Sequence, residues 1–156
     1  MRNLWEVMHQ EGCRDSSKVK GKNQKEKVTF LTELLMNNDL PDRLFNFAVK
    51  SIKFLINLPN IPEFNNIRYQ LSKSSTSSGA NYEEAQAASS KADFIHKTEI
   101  SLREMRESNY WYRIVRATLS FEGKIKDELI YLINESTELK KILGSIVVNT
   151  KANLNQ

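Results

Sequence analysis

Residues 70–113 read QLSKSSTSSGANYEEAQAASSKADFIHKTEISLREMRESNYWYR. The choice between a linker and a helix for their first half decides the fold. The run SKSSTSSGANYEEAQAASS is rich in Ser, Ala and Gly, a composition shared with flexible linkers. Its spacing argues for a helix, because Tyr82 and Ala85 continue the register set by Ile67, Leu71, Ser74/Ser75 and Ser78. Small residues on one stripe let helix backbones approach closely, and serine hydroxyls can bond the carbonyl one turn back. Ser and Gly are poorer helix formers than Ala, so such a helix depends on its packing.

The second half opens on Ser90-Lys91-Ala92-Asp93, the S-x-x-D form of a capped helix start. Phe94, Ser101, Met105, Ser108, Tyr112, Val115 and Leu119 then recur at intervals of three, four and seven. At ~100° per residue they fall within roughly 80° of one another, which predicts a helix over 91–119. Ile100, Trp111 and Ile114 lie on a second apolar flank. That flank, with His96, is a candidate subunit interface, and a wide core-facing stripe is the alternative.

Working outward, Pro62 and Glu63 suit the first turn of a helix spanning 62–88. Asp39-Leu40-Pro41-Asp42 is a helix entry, and Phe45, Ala48, Ile52 and Leu55 share one face of a helix over 41–57. Leu58-Pro59-Asn60-Ile61-Pro62 separates the two. After Ser120-Phe121-Glu122-Gly123, a helix over 124–149 carries Ile125, Leu129, Leu132, Ser136, Leu139, Leu143 and Ile146 at alternating intervals of four and three. This is bundle packing. The reading is an all-α chain, an antiparallel up-down four-helix bundle over 39–150, with a polar tail (151–156) that frays.

Residues 1–38 read as an extension: a flexible arm over 11–27 and a short helix over 25–37 bearing Val28, Leu31, Leu34 and Leu35. The densest basic run, KVKGKNQKEK from Lys18 to Lys27, is a solvated segment or an arm touching RNA. Residues 1–36 carry 7 Lys/Arg against 5 Asp/Glu, and the remainder 16 against 14, so the net charge of +4 is not concentrated in either part. Such a balance permits phosphate contact without requiring it. A single cysteine, Cys13, excludes an intrachain disulfide. No apolar run approaches a membrane span, and the N-terminus lacks the apolar stretch of a signal peptide, so the expected location is cytoplasmic.

Within 70–113 the sequence carries Gly79-Ala80-Asn81, Glu83-Glu84-Ala85-Gln86, Ser90-Lys91-Ala92-Asp93-Phe94-Ile95-His96-Lys97, Arg106-Glu107 and Tyr110-Trp111. In these motifs it closely resembles the bacterial four-helix-bundle family first noticed in intervening sequences of 23S ribosomal RNA genes. The likeness runs from Phe45-Asn46-Phe47-Ala48-Val49 to Leu139-Lys140-Lys141-Ile142-Leu143; residues 1–38 have no counterpart in it. Where the family often has Gly and Ile before G-A-N, this chain has Ser75 and Ser78. The resemblance implies a left-handed bundle assembled as a homopentameric ring. A related branch comprises the accessory proteins of diversity-generating retroelements, which bind nucleic acid and a reverse transcriptase. The family has no assigned catalytic residues or cofactor.

The residues themselves add little chemistry of an enzyme. Glu83 and Glu84 diverge by ~100° on a helix. Asp93 and His96 form a single acid–histidine pair where a di-metal bundle needs facing Glu-x-x-His motifs. Arg2 and His9 match the spacing of a ribonuclease motif but lie in the unpatterned arm. Arg103, Arg106 and Arg113 lie within roughly 80° on the third helix, with Arg116 at the edge. That stripe, together with Lys18, Lys20 and Lys22, is the candidate nucleic-acid surface; ion pairs to Glu99 and Glu107 are the alternative. The expected function is therefore a non-enzymatic oligomer contacting RNA through repeated basic surfaces, with no metal or cofactor. The alternative is a scaffold that recruits a protein partner.

Overall fold

The computed structural model describes residues 40–152, and the readings placed on 1–38 and on the last four residues lie outside the described residues. Four α-helices occupy this span, with no strand among the described residues. They are α1 (Leu40–Phe54), α2 (Pro62–Gln86), α3 (Lys91–Thr118) and α4 (Gly123–Ala152), and a 3-10 turn, Leu55–Asn57, extends α1. The termini follow local chemistry. Pro62 and Glu63 sit in the first turn of α2. The Asp93 backbone N–H donates to Ser90 Oγ at 3.1 Å, which makes Ser90 the cap of α3. The α1–α2 connection is clamped by Arg68, whose guanidinium donates to the carbonyls of Leu55, Leu58 and Pro59. α4 reaches Ala152, and Lys151 near its end bonds Glu99 of α3 at 2.6 Å.

The Ser-rich α2 is a single helix, and its serines make the seam with α3. Ser74, Ser75, Ser78, Ser101 and Ser108 are all fully buried. Ser78 Oγ donates to the Ser101 carbonyl at 3.0 Å, and Ser101 Oγ donates to the Ser78 carbonyl at 2.7 Å. Ser108 Oγ donates to Ser74 Oγ at 2.8 Å. Ser75 instead turns back on the Leu71 carbonyl, 2.6 Å away. Hydroxyls too small to hold the backbones apart thus satisfy their own hydrogen bonds. At the site where the resembled family often carries Ile, the partner of Ser78 is Ser101.

The expected face of α1 is real but points the other way. Phe45 and Ile52 are 67% and 42% exposed, and only Leu55 of the four residues read as sharing a face is buried. The core takes Leu40, Leu44, Phe47, Ser51 and Phe54, one residue earlier at each step. α1 therefore has two apolar flanks ~100° apart. Its core flank wins because Phe47 and Phe54 enclose Tyr112 of α3, at ring-centroid distances of 6.1 and 5.9 Å in edge-on geometry. Arg43 fixes the same orientation by gripping Glu135 of α4 through two bonds of 2.8 and 3.0 Å.

α3 and α4 bury most of the stripes expected of them. In α4 these are Leu129, Leu132, Ser136, Leu139 and Leu143, joined by Ile133 and by Val147 in place of Ile146. Two glycines in α4 have opposite roles. Gly123 opens the helix at φ +55°, where any side chain is strained, while Gly144 has nothing within 4 Å of where a Cβ would stand. Gly123→Ala is expected to cost about 1 kcal/mol, and Gly144→Ala to add up to about 1 kcal/mol through helix propensity. Urea titrations of both variants followed by circular dichroism check the opposite signs.

Candidate nucleic-acid interface

A groove of about 720 Å³ runs between α3 and α4, with Arg106 on one wall and Lys140, Lys141, Gly144, Ser145, Val148 and Asn149 on the other. Helix geometry places its cations. Arg106 and Arg113 stand seven residues apart, two turns or about 10 Å along α3. Both are exposed, and both lie close enough to Lys140 of α4 to repel it. Lys140 follows the core residue Leu139, so its ammonium emerges at the rim. It donates to Asn109 Oδ1 at 2.9 Å.

Asn109 is the residue that builds this wall. It is buried, and its amide nitrogen donates to the Ile133 carbonyl at 3.2 Å, Ser136 Oγ at 2.9 Å and Thr137 Oγ1 at 3.1 Å. Its remaining oxygen is therefore held toward Lys140. The Lys140 ammonium is depressed below the ordinary lysine range, first by burial, then by repulsion from Arg113, Arg106 and Lys141. Among the described residues the only carboxylate paired to one of these four cations is Glu138, 2.8 Å from Lys141 in an exposed pair. A phosphate entering the groove relieves the mutual repulsion of the cations and exchanges counterions for charge-assisted bonds.

The four arginines read as one stripe do not act together. Arg106 lines the groove, and Arg113 lies outside its lining but close enough to repel Lys140. Arg103 faces acids: Glu99 is held below the ordinary carboxylate range first by its bond to Lys151, with Arg103 a lesser contributor, and Arg103 also acts on Glu104. Glu104 itself is pushed up, chiefly by burial and then by Glu107. Arg116 is exposed in the last turn of α3. Lys18, Lys20 and Lys22 lie outside the described residues. The residues read as an oligomer interface stand as follows: Ile100, Trp111 and Ile114 are half-buried, and His96 is exposed. Trp111 stacks edge-on against Tyr110 at 5.3 Å and donates its indole N–H to Glu107 at 3.2 Å. Of the paired acids, Glu84 binds Lys97 of α3, and Glu83 borders an apolar groove between α1 and α2. Among the described residues no three of His, Cys, Asp or Glu converge as a metal site, and no helix is long and apolar enough to cross a membrane.

Sequence reasoning missed Lys140, Lys141 and Asn109. The signal available was two lysines directly after a core leucine of α4, which gain meaning only once α4 is laid against α3.

Residues 37–145 match the model of the 23S rRNA-intervening sequence protein family. The chain belongs to that family. A crystal structure of a protein of unknown function from the S23 ribosomal protein family of Bacteroides thetaiotaomicron is 35% identical to this intervening-sequence protein. It superposes with a TM-score of 0.60, covering 69% of this chain and 97% of the other. No curated protein matches the chain at a significant level. Arg106, Arg113, Lys140, Lys141 and Asn109 all fall inside the family match.

Proposed function

We propose that this intervening-sequence protein is a non-enzymatic, self-associating, antiparallel four-helix bundle that holds RNA in the groove between α3 and α4. The observation carrying the reading is the cluster of Arg106, Lys140 and Lys141 at the groove with Arg113 close by; Lys140 is depressed first by burial and then by these cations, and one exposed carboxylate answers the cluster. The antiparallel order is supported by the pairs Glu84–Lys97, Ser78–Ser101 and Ser74–Ser108, which step in opposite directions along α2 and α3. Copies in an oligomer present the groove repeatedly, and avidity then raises the effective affinity of a modest site.

Filter binding of ribosomal RNA fragments at two salt concentrations tests this. Affinity is expected to fall as salt rises, by a slope that counts the phosphates engaged. Absent or salt-insensitive binding overturns the RNA reading and leaves the scaffold reading, in which the apolar surfaces recruit a protein.

A further inference from the structure

We infer that the RNA taken by the groove between α3 and α4 is single-stranded, with an unpaired base stacked on Tyr110. The inference rests on the RNA reading above and names the class of RNA. Tyr110 falls between Arg106 and Arg113 at intervals of four and three, so the three side chains share one face of α3. All three are exposed, Tyr110 by 54%. An exposed aromatic ring flanked by two guanidinium groups suits an unpaired strand: the ring stacks a base while the cations hold the phosphates on either side.

The ring is held in place. Trp111 meets it edge-on at a centroid distance of 5.3 Å, and Trp111 is itself fixed by its indole N–H, which donates to Glu107 at 3.2 Å. An edge-on neighbour leaves a face of the tyrosine ring for stacking, and less side-chain freedom is lost when a base arrives. The groove continues in the same character. Besides Arg106, Lys140 and Lys141 it is lined by Val148, 66% exposed, and by Gly144, where nothing stands within 4 Å of a Cβ position. Cations beside an open, partly apolar wall suit a strand whose phosphates and base faces are both accessible. A duplex hides its base faces in its own stack and offers phosphates, sugars and base edges, so it gains nothing from Tyr110 or Val148.

The layout sets the path and its length. Lys140 bonds Asn109 and Lys151 bonds Glu99, so α4 steps backwards along α3 and Val148 stands about level with Leu102. From Leu102 past Arg106 and Tyr110 to Arg113 is eleven residues, about 16 Å of helix. That is room for about five stacked nucleotides at ~3.4 Å each, and fewer if the strand is stretched. The carboxylates flanking this path each have a partner already: Glu99 has Lys151, Glu107 has Trp111 and Glu138 has Lys141.

Fluorescence anisotropy on the full chain, at two salt concentrations, tests this with two probes carrying equal numbers of phosphates: a labelled oligouridylate and a labelled RNA duplex. The oligouridylate is expected to bind about tenfold more tightly than the duplex. Tyr110→Leu is expected to weaken its binding roughly tenfold without changing the salt slope, because stacking releases no counterions. Tyr110→Phe keeps the ring and is expected to bind as the wild type does. Tyr110 is exposed, so neither change touches the core. Arg106→Gln, by contrast, is expected to lower the slope by about one. Equal or tighter binding of the duplex overturns the inference. So does a Tyr110→Leu variant that binds the oligouridylate as well as the wild type, or that loses duplex affinity in the same measure. RNA is still bound in those outcomes, and the RNA reading stands. If neither probe binds at low salt, that reading falls and takes this inference with it.

Discussion

Replacing Tyr112 with alanine is expected to remove about 3–5 kcal/mol of stability, a large part of what a domain of this size possesses. Tyr112 is fully buried and packs edge-on to Phe47 and Phe54, the latter also touching Phe121 at 5.8 Å. These rings tie α1 to α3 across the core. Tyr112→Phe has the opposite expectation. The phenol oxygen is buried without a hydrogen-bond partner among the described residues. Ser51 faces it without closing a hydrogen bond to it, its own hydroxyl turned to the Phe47 carbonyl at 2.7 Å. Burial accordingly pushes the phenol far above its ordinary range. Removing an unsatisfied buried oxygen while keeping the ring is expected to raise stability by about 1 kcal/mol. Urea unfolding of the wild type and both variants reads the two signs. A Tyr112→Phe variant less stable than wild type by a kilocalorie would show that the hydroxyl has a partner, such as buried water.

Reversing the groove charge is the second large effect. Arg106→Glu with Lys140→Glu is expected to weaken RNA binding on the order of a hundredfold, since two phosphate contacts become two repulsions. Arg106 is exposed, and Lys140 reaches the rim while holding Asn109 Oδ1. Thermal unfolding of the same variant therefore separates lost binding from lost fold. Arg103→Glu serves as the comparison, because Arg103 lies among acids and outside the groove. Equal losses in both would mean that RNA follows general basicity and not this groove. Measuring the salt slope adds a second readout, expected to fall by about one for each phosphate contact removed.

Much of the secondary structure was legible because its signals are local. The S-x-x-D cap at Ser90, Pro62 in a first turn and the small-residue register of α2 all act within one or two turns. α3 and α4 were legible for the same reason, since a stripe repeated over four or more turns leaves little freedom of phase. α1 was not. Two apolar stripes offset by one residue, Leu44-Phe47-Ser51-Phe54 and Phe45-Ala48-Ile52-Leu55, have equally good spacing over so short a helix. Nothing within α1 itself distinguishes them.

The candidate site divides in the same way. Arginines on α3 could be found by counting along one helix. Their separation into Arg106 and Arg113, which face Lys140, and Arg103, which faces Glu99 and Glu104, depends on neighbours in α4 and on the packing of α3.

By itself, then, the sequence determined where the helices of this family member run and that α2 could approach a neighbour closely, because propensity, capping and period are properties of consecutive residues. Tertiary packing alone decided which flank of α1 is core, that Ser78 answers Ser101, and that cations from two helices cluster around one groove. Each of those outcomes depends on which side chains, distant in sequence, fill the same volume or compete for the same hydrogen bond, and no local pattern carries that information.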